Sequence, residues 1–276
     1  MRATTTLVFC AIDDLIPVSG KALLGFPEFL DGLSEAGIPC VWVTSRSRHQ
    51  LDLPIRKLGH AAPFIAEGGS GVFLPEDYFH LKVEQTIRLG RFTCIPVASV
   101  QPAASDALDM LAEETGLAVV PLRSLSPREL VQNTGLSRDT AEALRQRDFD
   151  ELFFFAGASA EDIHRFQKQA LHRKLAIRPV DSLWSLAAGS SLASCVRHLG
   201  RLYDRALHAH AFSISLATTS QGLELLPLCD RGIVLTTRHD DVGAANVQNR
   251  PTPKTLPLFA SDTWELVLES VRNRQF

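Results

Sequence analysis

Leu7-Val8-Phe9-Cys10-Ala11-Ile12-Asp13-Asp14 is the stretch on which the fold class turns. Six apolar residues run without a polar break and end on two carboxylates. A run with no alternation suits a strand covered on both faces, as in a parallel sheet. Outward from it, 22–36 has helical spacing through Leu23, Leu24, Phe29, Leu30 and Leu33, stopped by Gly37 and Pro39. Val41-Trp42-Val43 is a second apolar run and ends in Thr44-Ser45-Arg46. A helix is predicted near 48–58, then a strand from Pro63-Phe64-Ile65. Strand, helix, strand, helix, strand implies right-handed crossovers and the α/β class. The end of the chain repeats the pattern, with a helix over 192–209, strands over 212–216 and 232–237, and a helix over 262–272.

The middle differs. Between about 85 and 182 it reads strand, helix, strand, two helices, strand, helix, strand, with Phe153-Phe154-Phe155 its most apolar strand. Ser159 and Asp162 make a capping-box variant at a helix start. The expected organisation is a Rossmann-like core from 1–84 and 185–276, with an α/β insertion over 85–184. The one linker-like stretch is 247–257, with three prolines. In open parallel sheets the ligand crevice lies at the carboxyl ends of the strands. Asp13, Thr44 and the 66–71 loop would gather there, under the inserted module.

Composition narrows the class. With 45% apolar and 21% charged residues the chain is globular, neither disordered nor collagenous. Its charge is 28 − 31 = −3, which leaves no electrostatic footprint for nucleic acid. No apolar run approaches the roughly 18 residues of a membrane span, and the start is too soon acidic for a signal peptide. Cys10, Cys40, Cys94, Cys195 and Cys229 are scattered, with no CxxC, and read as reduced thiols of a cytoplasmic protein.

Several segments, in order, resemble the haloacid-dehalogenase (HAD) phosphatases with a C2 cap of type IIB, and most of all the mannosyl-3-phosphoglycerate phosphatases. Thr44-Ser45-Arg46-Ser47-Arg48 is similar to the family's second motif and its extension. The segment Pro63-Phe64-Ile65-Ala66-Glu67-Gly68-Gly69-Ser70-Gly71-Val72-Phe73-Leu74-Pro75 resembles its "PFI-ENGG-IF-P" signature, with Gly68 in place of Asn. Thr134-Gly135-Leu136-Ser137, Ala141 and Arg147-Asp148-Phe149-Asp150-Glu151 resemble its cap motif, and Trp264 its last-helix tryptophan. The resemblance implies that Thr44, Ser45, Arg46, Glu67, Gly68, Gly69, Arg147, Asp150 and Glu151 bind phosphate or substrate.

The family's reaction sets what the remaining motifs must supply. An aspartate attacks phosphorus, and a second carboxylate two residues on protonates the leaving oxygen. Carboxylates hold Mg2+, and a hydroxyl and a lysine cradle the transferring oxygens. Aligning Leu7-Val8-Phe9 on the family's first strand puts Ala11 at the nucleophile, Asp13 at the acid, Asp14 at its glycine and Leu15 at its threonine. Sliding the register by two makes Asp13 the nucleophile but puts Leu15 at the acid. Thr44 matches the phosphoryl-binding hydroxyl, and equally suits a helix cap. The lysine motif reads Gly189-Ser190-Ser191-Leu192-Ala193-Ser194, and no lysine lies between Lys174 and Lys254. An arginine such as Arg197 would have to reach in. Thr218 and Gly222 stand where the metal carboxylates belong, with Glu224 a remote substitute. Neutral oxygens alone are a poor Mg2+ site.

Ala11, Leu192, Thr218 and Gly222 thus depart from the pattern together. One missing charge-stabilising group costs about 3–4 kcal/mol of transition-state stabilisation, and a missing nucleophile removes the pathway. The expectation is a non-catalytic, pseudo-phosphatase binding or regulatory protein with no metal or cofactor. It would hold a sugar phosphate or other anion, with Arg46, Arg48 and Arg147 able to grip one together. The related sucrose-phosphate-phosphatase fold also occurs as an inactive domain on a glycosyltransferase, which implies a glycosyltransferase or other protein partner, by fold analogy alone. The alternative is an active Mg2+-dependent sugar-phosphate phosphatase using Asp13 with Asp14, Asp240 or Asp241; a purely structural subunit is a third. His239-Asp240-Asp241 reads as a solvated loop or a replacement metal site. His208 and His210 read as a helix end, and Cys10 as an inert buried thiol.

Overall fold

The computed structural model describes residues 5–18, 20–220, 222–236 and 252–275. In chain order the first part holds β1 (Thr6–Ala11), α1 (Phe26–Glu35), β2 (Cys40–Val43), α2 (Arg48–Lys57), β3 (Phe64–Ala66), β4 (Gly71–Leu74), β5 (Ile87–Leu89) and β6 (Phe92–Pro96). The middle holds α3 (Gln101–Thr115), β7 (Val119–Pro121), α4 (Pro127–Thr134), α5 (Arg138–Arg145), β8 (Asp150–Phe155), α6 (Ala160–His172), β9 (Leu175–Val180) and β10 (Leu183–Ala188). The last part holds α7 (Leu192–Leu207), β11 (Phe212–Thr218), a 3-10 turn (Leu223–Leu228), β12 (Arg231–Thr236), β13 (Lys254–Pro257) and α8 (Thr263–Asn273).

The large sheet runs β13-β12-β11-β1-β2-β3-β4-β6-β5. Its first six strands pair in parallel and the last three add antiparallel. β1 sits at its centre and is buried along its whole length, as its unbroken apolar run predicts. Val8 and Cys10 face the cluster with Phe26, Trp42 and Phe64. Leu7, Phe9 and Ala11 face the opposite cluster under α7. The smaller sheet, β7-β8-β10-β9, is antiparallel and carries its own clusters around Phe153 and Leu130. The chain is therefore mixed α/β, a parallel-sheet core with an inserted α/β cap.

Several boundaries differ from those read in the sequence. The insertion does not begin at 85, because β5 and β6 belong to the core sheet and the crossing falls after Pro96. It does not end at 184, because β10 continues in the cap sheet to Ala188. Within the linker-like stretch 247–257, residues 254–257 form β13, an edge strand, where proline is tolerated because one side needs no hydrogen-bond partner. α1 starts at Phe26, later than its periodicity suggests, since Gly25 takes a φ of 84°. A side chain there would overlap the Trp264 indole, which packs on Phe26 and Phe29. All five cysteines are free and buried, and burial beside Cys40 pushes the Cys10 thiol well above its usual range. No helix among the described residues is long and apolar enough to cross a membrane.

Candidate functional site

β1, β2 and β11 are parallel neighbours, so Ala11, Thr44 and Thr218 emerge at one edge of the sheet. Asp13 follows β1 and turns toward the end of β2. Its Oδ1 accepts from the Thr44 hydroxyl, and its Oδ2 accepts from Ser45 N at 2.8 Å and Ser45 Oγ at 2.6 Å. Arg46 stands over it, with Nε 3.8 Å from Oδ1 and Nη2 donating to Asp13 O at 3.0 Å. Arg46 also donates to Ile16 O. Both carboxylate oxygens of Asp13 are thus engaged by the protein.

Ala11 is buried and faces Gly222 across the sheet mouth. Gly222 adopts a φ of 81°, and a Cβ there would overlap the Ala11 methyl. Next to this contact, Asp14 accepts from Thr218 Oγ1 and, at 2.5 Å, from Ser220 Oγ. The positions that the resemblance assigns to a nucleophile and two metal ligands therefore form a small apolar contact and a hydroxyl–carboxylate cluster. Among the described residues no three His, Cys, Asp or Glu side chains come together as a metal would need. This donor set does not fit Mg2+, which wants several anionic oxygens. His239-Asp240-Asp241 lies outside the described residues.

The 66–71 loop closes the crevice. Glu67, Gly68 and Gly69 all have positive φ (50°, 55° and 90°). Glu67 N donates to Arg46 O and Gly68 N to Thr44 O, which docks the loop on β2. Gly69 lies so close to the Leu192 backbone that no side chain would fit. Ser191 N donates to Gly69 O, and Ser191 Oγ caps α7. Leu192 thus begins the helix that faces the loop.

The cap meets this loop through buried charge. The Glu67 carboxylate accepts from the backbone N–H of Asp148, Phe149 and Asp150. Burial, then the nearby Asp150 carboxylate, push its pKa up to about 8, against the pull of Arg147 and the Asp148 N–H. Arg147 pairs in bidentate fashion with Asp150 at 2.5 and 2.8 Å. It also donates to Ser45 O at 2.7 Å and Gln50 Oε1 at 3.0 Å, both in the core. Although burial opposes it, the Arg147 guanidinium, with Ser185 Oγ, holds Asp150 below the usual carboxylate range. Arg48 forks onto Asp148 at 2.8 and 3.2 Å. In this structure Arg46, Arg48 and Arg147 are each turned onto acceptors of the protein itself. Glu151 lies inside the cap, bonded to Gln101, Ser105 and Arg123.

The cation that reaches the loop is one the sequence reading missed. Arg178, on β9 of the cap, donates to Glu67 O and Gly68 O and lies 3.5 Å from Ser190 Oγ. Its guanidinium fills the space a side chain at 68 would need. Its Nε is buried with no partner, and burial lowers its pKa. Arg197 does not reach in; it lies exposed on α7.

No protein-family model matches the chain. It is 24% identical over 204 residues to a glucosyl-3-phosphoglycerate/mannosyl-3-phosphoglycerate phosphatase of Methanococcoides burtonii, covering 73% of each chain. A protein of the same name from Persephonella marina is 29% identical over 45% of each. A mannosyl-3-phosphoglycerate phosphatase of Pyrococcus furiosus is 20% identical over 67% of this chain and 73% of its own. Among solved structures, a HAD subclass IIB sugar phosphatase aligns with a TM-score of 0.63 at 14% identity, over 96% of this chain and 98% of the other. A HAD phosphatase from Bacteroides thetaiotaomicron gives 0.63 at 13%, over 97% and 95%.

Proposed function

We propose that this chain, which has the HAD fold with a subclass IIB cap and relatives among the mannosyl-3-phosphoglycerate phosphatases, is a non-catalytic protein that binds an anion between core and cap. The observation that carries the reading is the Ala11–Gly222 contact. Phosphoryl transfer in this fold needs a carboxylate on one of these residues and a metal ligand on the other. A side chain at 222 would overlap the Ala11 methyl, so the metal-ligand position is not restored without movement at Ala11. The spontaneous reaction is among the slowest known, and enzymes supply up to roughly 10^21-fold; a site with alanine at the nucleophile position and Thr218 and Gly222 at the metal-ligand positions would supply little of that. The rewired alternative rests on Asp13, and both oxygens of Asp13 accept bonds from Thr44 and Ser45.

Anion binding is supported by Arg178. A buried guanidinium with an unpartnered Nε stands beside Ser190 and the N-terminal end of α7, where the helix dipole favours negative charge. The relatives' substrates make a sugar phosphate the first ligand class to try. We take the protein to be cytoplasmic and to regulate a partner, for which a glycosyltransferase is the candidate by fold analogy. Two measurements test the reading. Phosphate release from a panel of sugar phosphates with Mg2+ is expected at background; metal-dependent turnover abolished by Asp13→Asn would establish the rewired phosphatase instead. Calorimetric titration with sugar phosphates is expected to show metal-independent binding that Arg178→Met removes. Titrations that are flat for the unaltered protein would refute the anion site.

A further inference from the structure

α7 presents a row of arginines to solvent. Arg197, Arg201 and Arg205 stand four residues apart on one face, and all three are exposed. At 1.5 Å per residue they span about 12 Å. Among the described residues none of the three side chains forms an ion pair or hydrogen bond, although the chain as a whole carries an excess of acid. Beside the row runs a groove of about 370 Å3 between α7 and the 3-10 turn. Arg197 and Arg201 form its wall, and Leu7, Phe9, Val196 and Leu228 line its depth. Gly200 lies between the two arginines, with open space where a side chain would stand. The two acids at the margin are already used. Asp204 accepts from Ala211 N at 2.8 Å and contacts His210, while Asp230 accepts from Ser213 N and Oγ at 2.9 and 2.7 Å.

We infer that this face docks an acidic amphipathic helix of a partner protein. Carboxylates four residues apart on such a helix match the arginine spacing, and apolar side chains between them enter the groove. A nucleic acid fits less well: the chain carries a net charge of −3, and a phosphate backbone offers no apolar side chain to the groove. The groove opens near the amino ends of β1 and β11, away from the crevice, so the inference stands whether or not the chain turns over phosphate.

The test uses the full chain and a fluorescein-labelled helical peptide with Glu at three successive fourth positions and Leu between them. Fluorescence anisotropy is expected to show saturable binding that Arg197→Glu, Arg201→Glu and Arg205→Glu together weaken by about tenfold or more. A peptide with Lys in place of Glu should bind the triple variant and not the unaltered protein. That exchange cannot come from misfolding. Replacing Leu by Ser in the peptide should also weaken binding. The inference is overturned if the unaltered protein ignores the Glu peptide, if the triple variant binds it equally, or if a single-stranded oligonucleotide competes more strongly than the peptide for these arginines.

Discussion

At the mouth of β1 a methyl group and a bare Cα occupy the positions that the resemblance assigns to a nucleophile and a metal ligand, and the fit between them bears on the effect of reversion. Ala11→Asp would bury a second carboxylate beside Gly222, next to the Asp14 carboxylate already held by Thr218 and Ser220. Overpacking and an unpaired buried charge together are expected to cost about 3 kcal/mol, read from urea denaturation. Phosphate release should stay at background; metal-dependent turnover in this variant would show that the site had room to be rebuilt. Glu67 gives a second outcome at this scale. Its pKa in the folded chain, about 8, stands above its ordinary 4.5. Between those values the folded protein holds a proton that the unfolded chain has lost, so stability falls as pH rises through the window and levels off above it. Asp150, held low, acts only in more acidic solution. Glu67→Gln should therefore flatten the decline in denaturation midpoint between pH 5 and pH 8; an unchanged slope would mean Glu67 is not the titrating group. Ala11, Asp13, Thr44 and Gly222 could be placed from sequence because each sits within a few residues of a strand end. Arg178 could not, because its partners at Glu67 and Gly68 are 111 and 110 residues away and its segment carries no motif.

Elements were legible where one period ruled. β1, β2, α7 and α8 follow directly from their apolar spacing, and the capping box of Ser159 and Asp162 forms as read. β10 and β13 were not, since one follows a tight turn after β9 and the other lies among prolines on a sheet edge. The join between cap and core was obscure for a related reason: the 147–151 segment resembles a substrate-contacting motif, yet Arg147, Asp148 and Asp150 also fasten two domains. The fastening has a measurable strength. Arg147→Met would leave Asp150 buried with Ser185 Oγ and, of its two opposing guanidiniums, only Arg178. Removing one partner of a buried pair costs about 3–5 kcal/mol. An equilibrium unfolding loss below about 1 kcal/mol would place the pair among those worth little, as exposed pairs are.

For the whole molecule, the question is whether cap and core behave as one body. Phe149 answers it in part. It belongs to the cap by sequence, but it is fully buried in the core cluster, edge-on to Phe73 and against Gly71. With Arg48–Asp148, Arg147–Ser45, Glu67 on three cap amides, and Arg178 on two core carbonyls, the contact holds both apolar area and charge in one place. Opening the cap would expose Phe149 and strand Glu67 and Arg147 together, so partial opening gains little and loses most of the attachment. The unaltered protein is accordingly expected to unfold in a single cooperative transition, with coincident near- and far-ultraviolet circular dichroism. Phe149→Ala removes the apolar plug at a cost of about 3–5 kcal/mol. It should uncouple the two clusters, giving two calorimetric transitions, the cap melting first because its sheet has only four strands. One transition merely displaced to lower temperature would instead mean that the buried charges alone keep the halves together.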